Sequence, residues 1–376
     1  MPSWSSTGLH RDARRRQGCE VKLLLAGGGT GGHIFPALAV AEEWLRRGKE
    51  RSVLFVGTNR GLEAKLVPQA GLPLQIVRSA GLKGIGGLRL LKNAAMLVPS
   101  FWDVAGILRR DRFAPALGTG GYVTGPVLFA ATLASLPAVV FESNAEPGFT
   151  NRVLAELVTR VASAFPQPAE RWGRKAVVTG CPVRAEFFSA PVRNPAPPFR
   201  LLITGGSQGA LPINRAAVDS MERLATRKSE LAIVHQTGER DYNAVRTAYA
   251  RREIHAEVAP FFTNMPERFA QADLILCRSG AITVAEVAAA GRAAIFIPFG
   301  RATDSHQLRN AQSLERLGAA RVIPEPELAA ERLTAEIFSL LDQPTRLAEM
   351  GSRARVLARP HAAEAIVNLI EEAARQ

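Results

Sequence analysis

Two doubly wound α/β domains facing each other across a cleft are what this sequence predicts, on three observations. Short apolar runs alternate with helix-patterned stretches, and the series starts over midway. A proline-rich, aperiodic segment marks the restart, and glycine-rich turns follow apolar runs in both halves. Such alternation builds a parallel sheet covered on both faces, and 376 residues are enough for two cores of ordinary size.

The strand-like runs of the first half are Val21–Ala26, Ser52–Val56, Leu74–Val77, Ala138–Phe141 and Lys175–Val178. Those of the second are Arg200–Thr204, Ala232–His235, Glu257–Ala259, Leu274–Cys277, Ala294–Ile297 and Ala320–Ile323. The segment 189–198, with four prolines and no periodicity, reads as the linker. The expected organisation is therefore an extension over 1–20, a first domain over 21–183, a second over 184–358, and a closing segment over 359–376. The extension is polar, carries Arg11, Arg14, Arg15 and Arg16, lacks the apolar stretch of a secretory signal, and is expected to be disordered. The closing segment sets Ala363, Ile366, Val367 and Ile370 on one side of a helix. Its pattern fits a cap on the second domain and a crossing back to the first equally well.

Composition narrows the functional classes. Three widely spaced cysteines, Cys19, Cys181 and Cys277, argue against a disulfide framework or zinc cluster and suit a reducing cytoplasm. No apolar run approaches the roughly 20 residues of a membrane-spanning helix; even Val127–Phe141 is broken by Thr132, Ser135 and Pro137. The net charge of +13 is lopsided, with 23 Lys and Arg against 12 Asp and Glu in residues 1–180, but 24 against 22 in the remainder. A basic half recruits polyanions, either nucleic acid or an anionic membrane surface. Within it, Arg78–Arg112 interleaves Arg78, Lys83, Arg89, Lys92, Arg109, Arg110 and Arg112 with Leu88, Leu97, Phe101, Trp102 and Leu108. That mixture suits a lipid interface as well as an ordinary amphipathic helix packed on the sheet. Its few, adjacent aromatics do not suit stacking on single-stranded nucleic acid.

The glycine turns carry the chemistry. They lie at Gly27-Gly28-Gly29-Thr30-Gly31-Gly32-His33, at Gly118-Thr119-Gly120-Gly121 and at Gly205-Gly206-Ser207-Gln208-Gly209. Glycines between a strand and a helix are expected to leave backbone N–H groups bare for a phosphate at the positive end of the helix dipole. The first turn satisfies the G-x-G-x-x-G fingerprint of dinucleotide-binding proteins, yet the acidic residue expected after the second strand is missing, because Val56 runs into Gly57-Thr58-Asn59-Arg60. The turn at Ser207 lacks the lysine of a P-loop. His33 is a candidate general base or a mere brace of its turn. Glu286, early in the helix opened by Arg278-Ser279-Gly280-Ala281, could accept both hydroxyls of a ribose or simply complement the helix dipole. Asp304-Ser305-His306-Gln307 and Asn310 form a polar cluster suited to sugar hydroxyls. No Asp-x-Asp occurs and the histidines show no paired ligand spacing, so no metal and no cofactor is expected.

Taken together, Ala26-Gly27-Gly28-Gly29-Thr30-Gly31-Gly32-His33-Ile34-Phe35-Pro36, Gly118-Thr119-Gly120-Gly121-Tyr122-Val123, Gly205-Gly206-Ser207-Gln208-Gly209-Ala210 and Arg278-Ser279-Gly280-Ala281 resemble the MurG family, in order from about Val21 onward. That family comprises bacterial glucosaminyltransferases that convert lipid I to lipid II. The resemblance implies a GT-B architecture and an inverting, metal-independent transfer of GlcNAc from UDP-GlcNAc at the cytoplasmic face of the inner membrane. It implies donor contacts from Thr30, Gly31, Gly32, Asn144, Arg184, Ser207, the Phe262 backbone, Ala281, Ile282, Thr283, Val284, Ala285, Glu286 and Gln307. It further implies His33 as the group activating the acceptor hydroxyl, with Asn144 in support, and a closing helix that returns to the first domain. Gly118, Thr119, Gly120 and Gly121 are expected at the acceptor's diphosphate. In a family that uses a lipid-linked acceptor, the Arg78–Arg112 region is expected to meet an anionic membrane, and no nucleic-acid partner is expected. The chain departs from the family pattern at Phe141, Cys181, Phe262 and Asn264, where His, Asn, Ile and Asp are usual.

Overall fold

The computed structural model describes residues 21–59, 61–78, 97–191, 194–300 and 305–375. The first sheet has seven strands: β1 (Val21–Ala26), β2 (Arg51–Gly57), β3 (Leu74–Ile76), β4 (Ala116–Gly118), β5 (Ala138–Glu142), β6 (Arg160–Ser163) and β7 (Ala176–Val178). They run in the order β3-β2-β1-β4-β5-β6-β7. The second sheet has six: β8 (Phe199–Thr204), β9 (Leu231–Gln236), β10 (Ala256–Ala259), β11 (Leu274–Cys277), β12 (Ala293–Phe296) and β13 (Ala320–Val322), in the order β10-β9-β8-β11-β12-β13. Every pairing is parallel. The two-domain α/β prediction holds, with β4 and β6 added to the strands expected. Ala116–Gly118 is too short to read as more than an apolar run, and Arg160–Ser163 opens on a charge and closes on a hydroxyl.

Fully buried parallel strands read as continuous apolar stretches, because helices cover both of their faces. Leu23, Leu24 and Leu25 of β1 and Leu274, Ile275 and Leu276 of β11 are all fully buried. Strand order reverses between β1 and β4 in one sheet and between β8 and β11 in the other. Loops leaving the carboxyl ends of strands at such a switch point diverge and open a crevice. All four motif-bearing loops, after β1, β4, β8 and β11, leave from those two places.

The closing helix Ala362–Arg375 buries Ile366, Val367, Leu369 and Ile370 in the first domain's core with Leu23, Val40, Trp44, Phe55 and Phe141. Arg47 and Arg51 reach its Glu371 at 3.0 and 2.8 Å. Phe141, found where the family pattern has histidine, belongs to this core and is fully buried.

Beneath the turn at Ser207 lies a buried polar network. His235 of β9 meets the Tyr249 hydroxyl through Nδ1 and Asn214 Oδ1 through Nε2, each at 3.1 Å. The Asn214 amide in turn donates to the Thr237 carbonyl at 2.9 Å, the oxygen against which Gly209 packs. Since Asn214 Oδ1 can only accept, His235 carries its proton on Nε2 and takes the tyrosine proton at Nδ1. Burial drives its pKa down to about 3. The unfolded chain therefore takes up a proton from about pH 6.5 downward that the folded chain refuses, and stability falls with pH across that window. This one group is expected to lower the unfolding free energy by about 2 kcal/mol between pH 7 and pH 5. Urea denaturation at the two pH values should show that loss, and His235→Gln should be missing it; an equal loss in the variant would assign it elsewhere.

Candidate active site

His33 stands in the first turn of the helix Gly31–Arg46, half-buried at the cleft wall. Its Nδ1 lies 3.1 Å from the Gly28 carbonyl. A carbonyl only accepts, so the proton sits on Nδ1 and the Nε2 lone pair is available to take another. Gly120, with φ +109°, passes so close to the ring that a Cβ there would lie 2.7 Å from His33 Cδ2. Burial lowers the His33 pKa below the ordinary histidine value, against the upward pull of the Gly28 carbonyl and of Glu142 and Glu63. The imidazole is thus neutral at pH 7, as a general base must be.

The glycine turns differ from the bare cradles expected of them. The Gly28 N–H donates to the Gly120 carbonyl at 3.3 Å and the Gly29 N–H to Glu63 Oε2 at 3.0 Å. The Thr119 N–H goes to Ala26 and the Gly120 N–H to the Thr124 hydroxyl. Thr119 also donates its hydroxyl to the His33 carbonyl at 2.8 Å. The turns after β1 and β4 are therefore knitted to each other, and what they present to the cleft is a histidine.

In the second domain, the turn after β8 keeps Ser207 and Gln208 exposed at its tip. Gln236, 2% exposed, holds it from below: its amide donates to the Gly206 carbonyl at 3.0 Å, and its Oε1 accepts the Phe262 N–H at 2.8 Å. The Phe262 N–H is thus engaged within the fold. Helix Ala281–Ala290 points its N-terminus at the same cleft. Ala281 and Val284 are buried, so they can offer a ligand only backbone, while Ile282 and Ala285 pack toward the first domain's core. Glu286 is half-buried on this helix; burial raises its pKa to about 7, and nearby Arg184 pulls the other way. Cys181, on the strand-to-linker turn, is pushed up to about 12 by its burial.

Side chains of both domains meet across the cleft. Asn310, 0% exposed, accepts the Ala145 N–H at 2.8 Å and donates to Asn144 Oδ1 at 3.1 Å and to the Ser279 carbonyl at 3.2 Å. His306 Nδ1 donates to the Glu146 carbonyl at 2.8 Å. Asn144 spends its other end on Glu142 Oε1 and the Ser143 hydroxyl, so both ends of its amide are engaged within the protein. Gln307 accepts the Phe299 N–H at 3.0 Å through its side-chain oxygen. Thr30 is exposed at the helix start and Arg184 is exposed beside the linker. Thr283 is half-buried on the helix that carries Glu286. Glu63, Glu142 and Gln236 had no role in the sequence reading, because each acts on backbone groups and no local motif announces it. Among the described residues, no three His, Cys, Asp or Glu side chains group to hold a metal ion.

The comparisons follow this geometry. Residues 23–163 match the glycosyltransferase family 28 N-terminal domain and residues 200–368 its C-terminal domain. A UDP-N-acetylglucosamine–N-acetylmuramyl-(pentapeptide) pyrophosphoryl-undecaprenol N-acetylglucosamine transferase of Pelobacter propionicus is 42% identical over 374 residues, covering 93% of this chain and 99% of that protein. The protein of the same name from Solibacter usitatus is 44% identical, covering 94% of this chain and 96% of its own. Among solved structures, Acinetobacter baumannii MurG superposes with a TM-score of 0.78 at 31% identity, over 94% of this chain and 99% of that one. A UDP-GlcNAc 2-epimerase from Neisseria meningitidis, at 13% identity and a TM-score of 0.67, shares the fold alone. With both domains matched in order and the two walls of the cleft included, the chain belongs to glycosyltransferase family 28 and, within it, to the MurG family.

Proposed function

We propose that this chain transfers N-acetylglucosamine from UDP-GlcNAc to the muramyl 4-hydroxyl of lipid I, inverting the anomeric carbon and releasing UDP, to form lipid II in peptidoglycan synthesis. The observation that carries the reading is the similarity to enzymes of that name along about 93% of the chain, which takes in both cleft walls. His33 Nε2 takes the proton of the acceptor hydroxyl as its oxygen bonds to the anomeric carbon, and the bond from that carbon to the diphosphate oxygen breaks. Charge growing on the leaving diphosphate is met by the Ser207 turn and the first N–H groups of helix Ala281–Ala290, fixed dipoles that need no reorganisation. Glu286 accepts the ribose hydroxyls, Phe262 faces uracil, and Gln307 with Thr30, Gly31 and Gly32 borders the sugar. Arg184 lies beside Glu286 at the donor. Asn144 serves by holding the loop 143–148 against helix His306–Glu315. Gly118–Gly121 borders the acceptor's diphosphate.

Acceptor supply at a membrane fits the surface of the first domain. Helices Leu97–Arg110, Thr124–Leu133 and Phe149–Leu157 lie side by side. Together they expose Val98, Trp102 (57%), Phe129, Leu133 (62%), Val153 and Leu157, with Arg109 and Arg110 at one end. An apolar ridge with arginines beside it suits peripheral attachment to an anionic leaflet, here the cytoplasmic face of the inner membrane. Among the described residues no helix is long and apolar enough to cross a membrane. The part of Arg78–Arg112 between 79 and 96 lies outside the described residues.

UDP release from UDP-GlcNAc is expected to depend on a lipid I analogue and to persist in EDTA; release without acceptor dependence would indicate a different reaction, and binding with no release a sugar-nucleotide-binding protein. In the same assay His33→Ala should lower kcat by about 10²- to 10⁴-fold with little change in donor KM. Glu286→Ala should chiefly raise the donor KM. In the unsubstituted enzyme that KM should climb as pH falls through about 7, where the carboxylate gains a proton and no longer offers two anionic acceptor oxygens to the ribose hydroxyls; a KM flat between pH 8 and 6 removes Glu286 from the ribose. Anionic vesicles at low salt should retain the protein and lose it on Trp102→Glu with Leu133→Glu; equal retention of the double variant places attachment elsewhere.

A further inference from the structure

The turn after β1 hides a carboxylate that the transfer scheme does not use. Glu63, 0% exposed, opens the helix Glu63–Gln69 and turns its side chain inward beneath Gly27–Gly32. Its Oε1 accepts the Thr58 N–H at 3.0 Å and the Thr58 hydroxyl at 2.7 Å; its Oε2 accepts the Gly29 N–H at 3.0 Å. Room for it comes from three glycines: a Cβ would meet its side chain at 2.8 Å from Gly28 and 2.7 Å from Gly57, and would overlap the carboxylate from Gly61.

The Gly29 N–H and the Gly28 carbonyl belong to one peptide group. The carboxylate is bonded to its N–H end, and His33 Nδ1 is bonded to its carbonyl end, 3.1 Å away. We propose that Glu63 is a positioning residue for His33, acting on the imidazole through the peptide group between Gly28 and Gly29. A planar, conjugated amide conducts polarisation from one end to the other. A negative charge on the N–H end loads electron density onto the carbonyl oxygen, and hydrogen bonds in such a chain reinforce each other. The carbonyl thus becomes a stronger acceptor for Nδ1–H, which fixes the tautomer and steadies the imidazolium that forms when Nε2 takes a proton. The logic is that of a carboxylate–histidine pair, with a peptide inserted between the partners.

Among the described residues, three charged or titratable groups bear on His33: Glu63 beneath the turn, Glu142 at the end of β5, and His306 across the cleft. Glu142 gives Oε1 to the Asn144 N–H and amide and Oε2 to the Gly148 N–H and the Asn151 amide, none of which touches the Gly28–Gly29 peptide. His306 opposes both carboxylates. Among the described residues, Glu63 is the carboxylate bonded to the peptide that meets the protonated side of the ring.

The proposal rests on the reading of His33 as base for its catalytic part only, and the test separates the two. In Glu63→Gln, which keeps shape but removes charge, the His33 imidazole titration followed by ¹⁵N NMR should move to lower pH, and kcat should fall about tenfold with donor KM within about twofold. An unmoved His33 titration in the folded variant overturns the relay. Should that variant fail to fold, the unsubstituted protein still decides: its neutral His33 must show the Nδ1–H tautomer, assigned against His33→Gln, and an Nε2–H signal overturns the proposal. If His33→Ala retains its turnover, the base assignment fails while the NMR shift continues to judge the relay.

Discussion

A buried carboxylate must be met by donors, and at the heart of the first domain these are the Gly29 N–H and the N–H and hydroxyl of Thr58, brought within reach by the glycines around them. Glu63 collects Gly29, Thr58 and the close approach of Gly28, Gly57 and Gly61 into one knot. Leaving such a group without partners would cost several kcal/mol, so the loop after β1 has one low-energy shape. That shape sets the direction of the Gly28 carbonyl, and the carbonyl sets the ring of His33. The turn after β4 is fitted to the result, with Gly28 bonded to Gly120 and Thr119 bonded to the backbone of His33. Glycine here is a requirement of packing around a charge more than an invitation to phosphate.

The two domains meet through apolar side chains, with Ile282 and Ala285 against the first core and Ala145 and Phe165 against the second, and through a set of amides at the cleft. Asn310 satisfies Ala145, Asn144 and Ser279 at once, and His306 reaches the Glu146 carbonyl. Each of these bonds has a net worth of only about 1 kcal/mol, so the set defines an orientation without welding it. Ser279 extends the set within the second domain, its hydroxyl donating to the Gln307 carbonyl at 2.8 Å.

Much of this architecture was legible in the sequence, and what was not had physical reasons. Strands buried on both faces, such as Leu23–Leu25 and Leu274–Leu276, announce themselves as unbroken apolar runs. Ala116–Gly118 and Arg160–Ser163 do not, because three or four residues of mixed character become strands only once longer neighbours supply the ladder. The glycine turns were legible as well, and they leave the carboxyl ends of strands at the two switch points, with His33 and Glu286 on the helices that follow β1 and β11. The bonds that aim those groups stayed hidden: Glu63 lies 34 residues from Gly29, and Asn310 lies 166 residues from Asn144. Local pattern has no access to such pairs. It also pictured the first two turns as bare, whereas the N–H groups of Gly28, Gly29, Thr119 and Gly120 have partners within the fold.

The closing helix changes how the chain must be born. Ile366, Val367 and Ile370 complete the core shared by β1, Trp44 and Phe55, yet they are made only after the whole second domain. While synthesis continues, the first domain carries an uncovered apolar stripe along helix Gly31–Arg46, and its sheet waits for a segment more than 300 residues downstream of Arg47. The second domain, whose own core is formed from residues 199–350, can close before the first. On the ribosome the first domain's core can therefore be completed only after the second domain has been made.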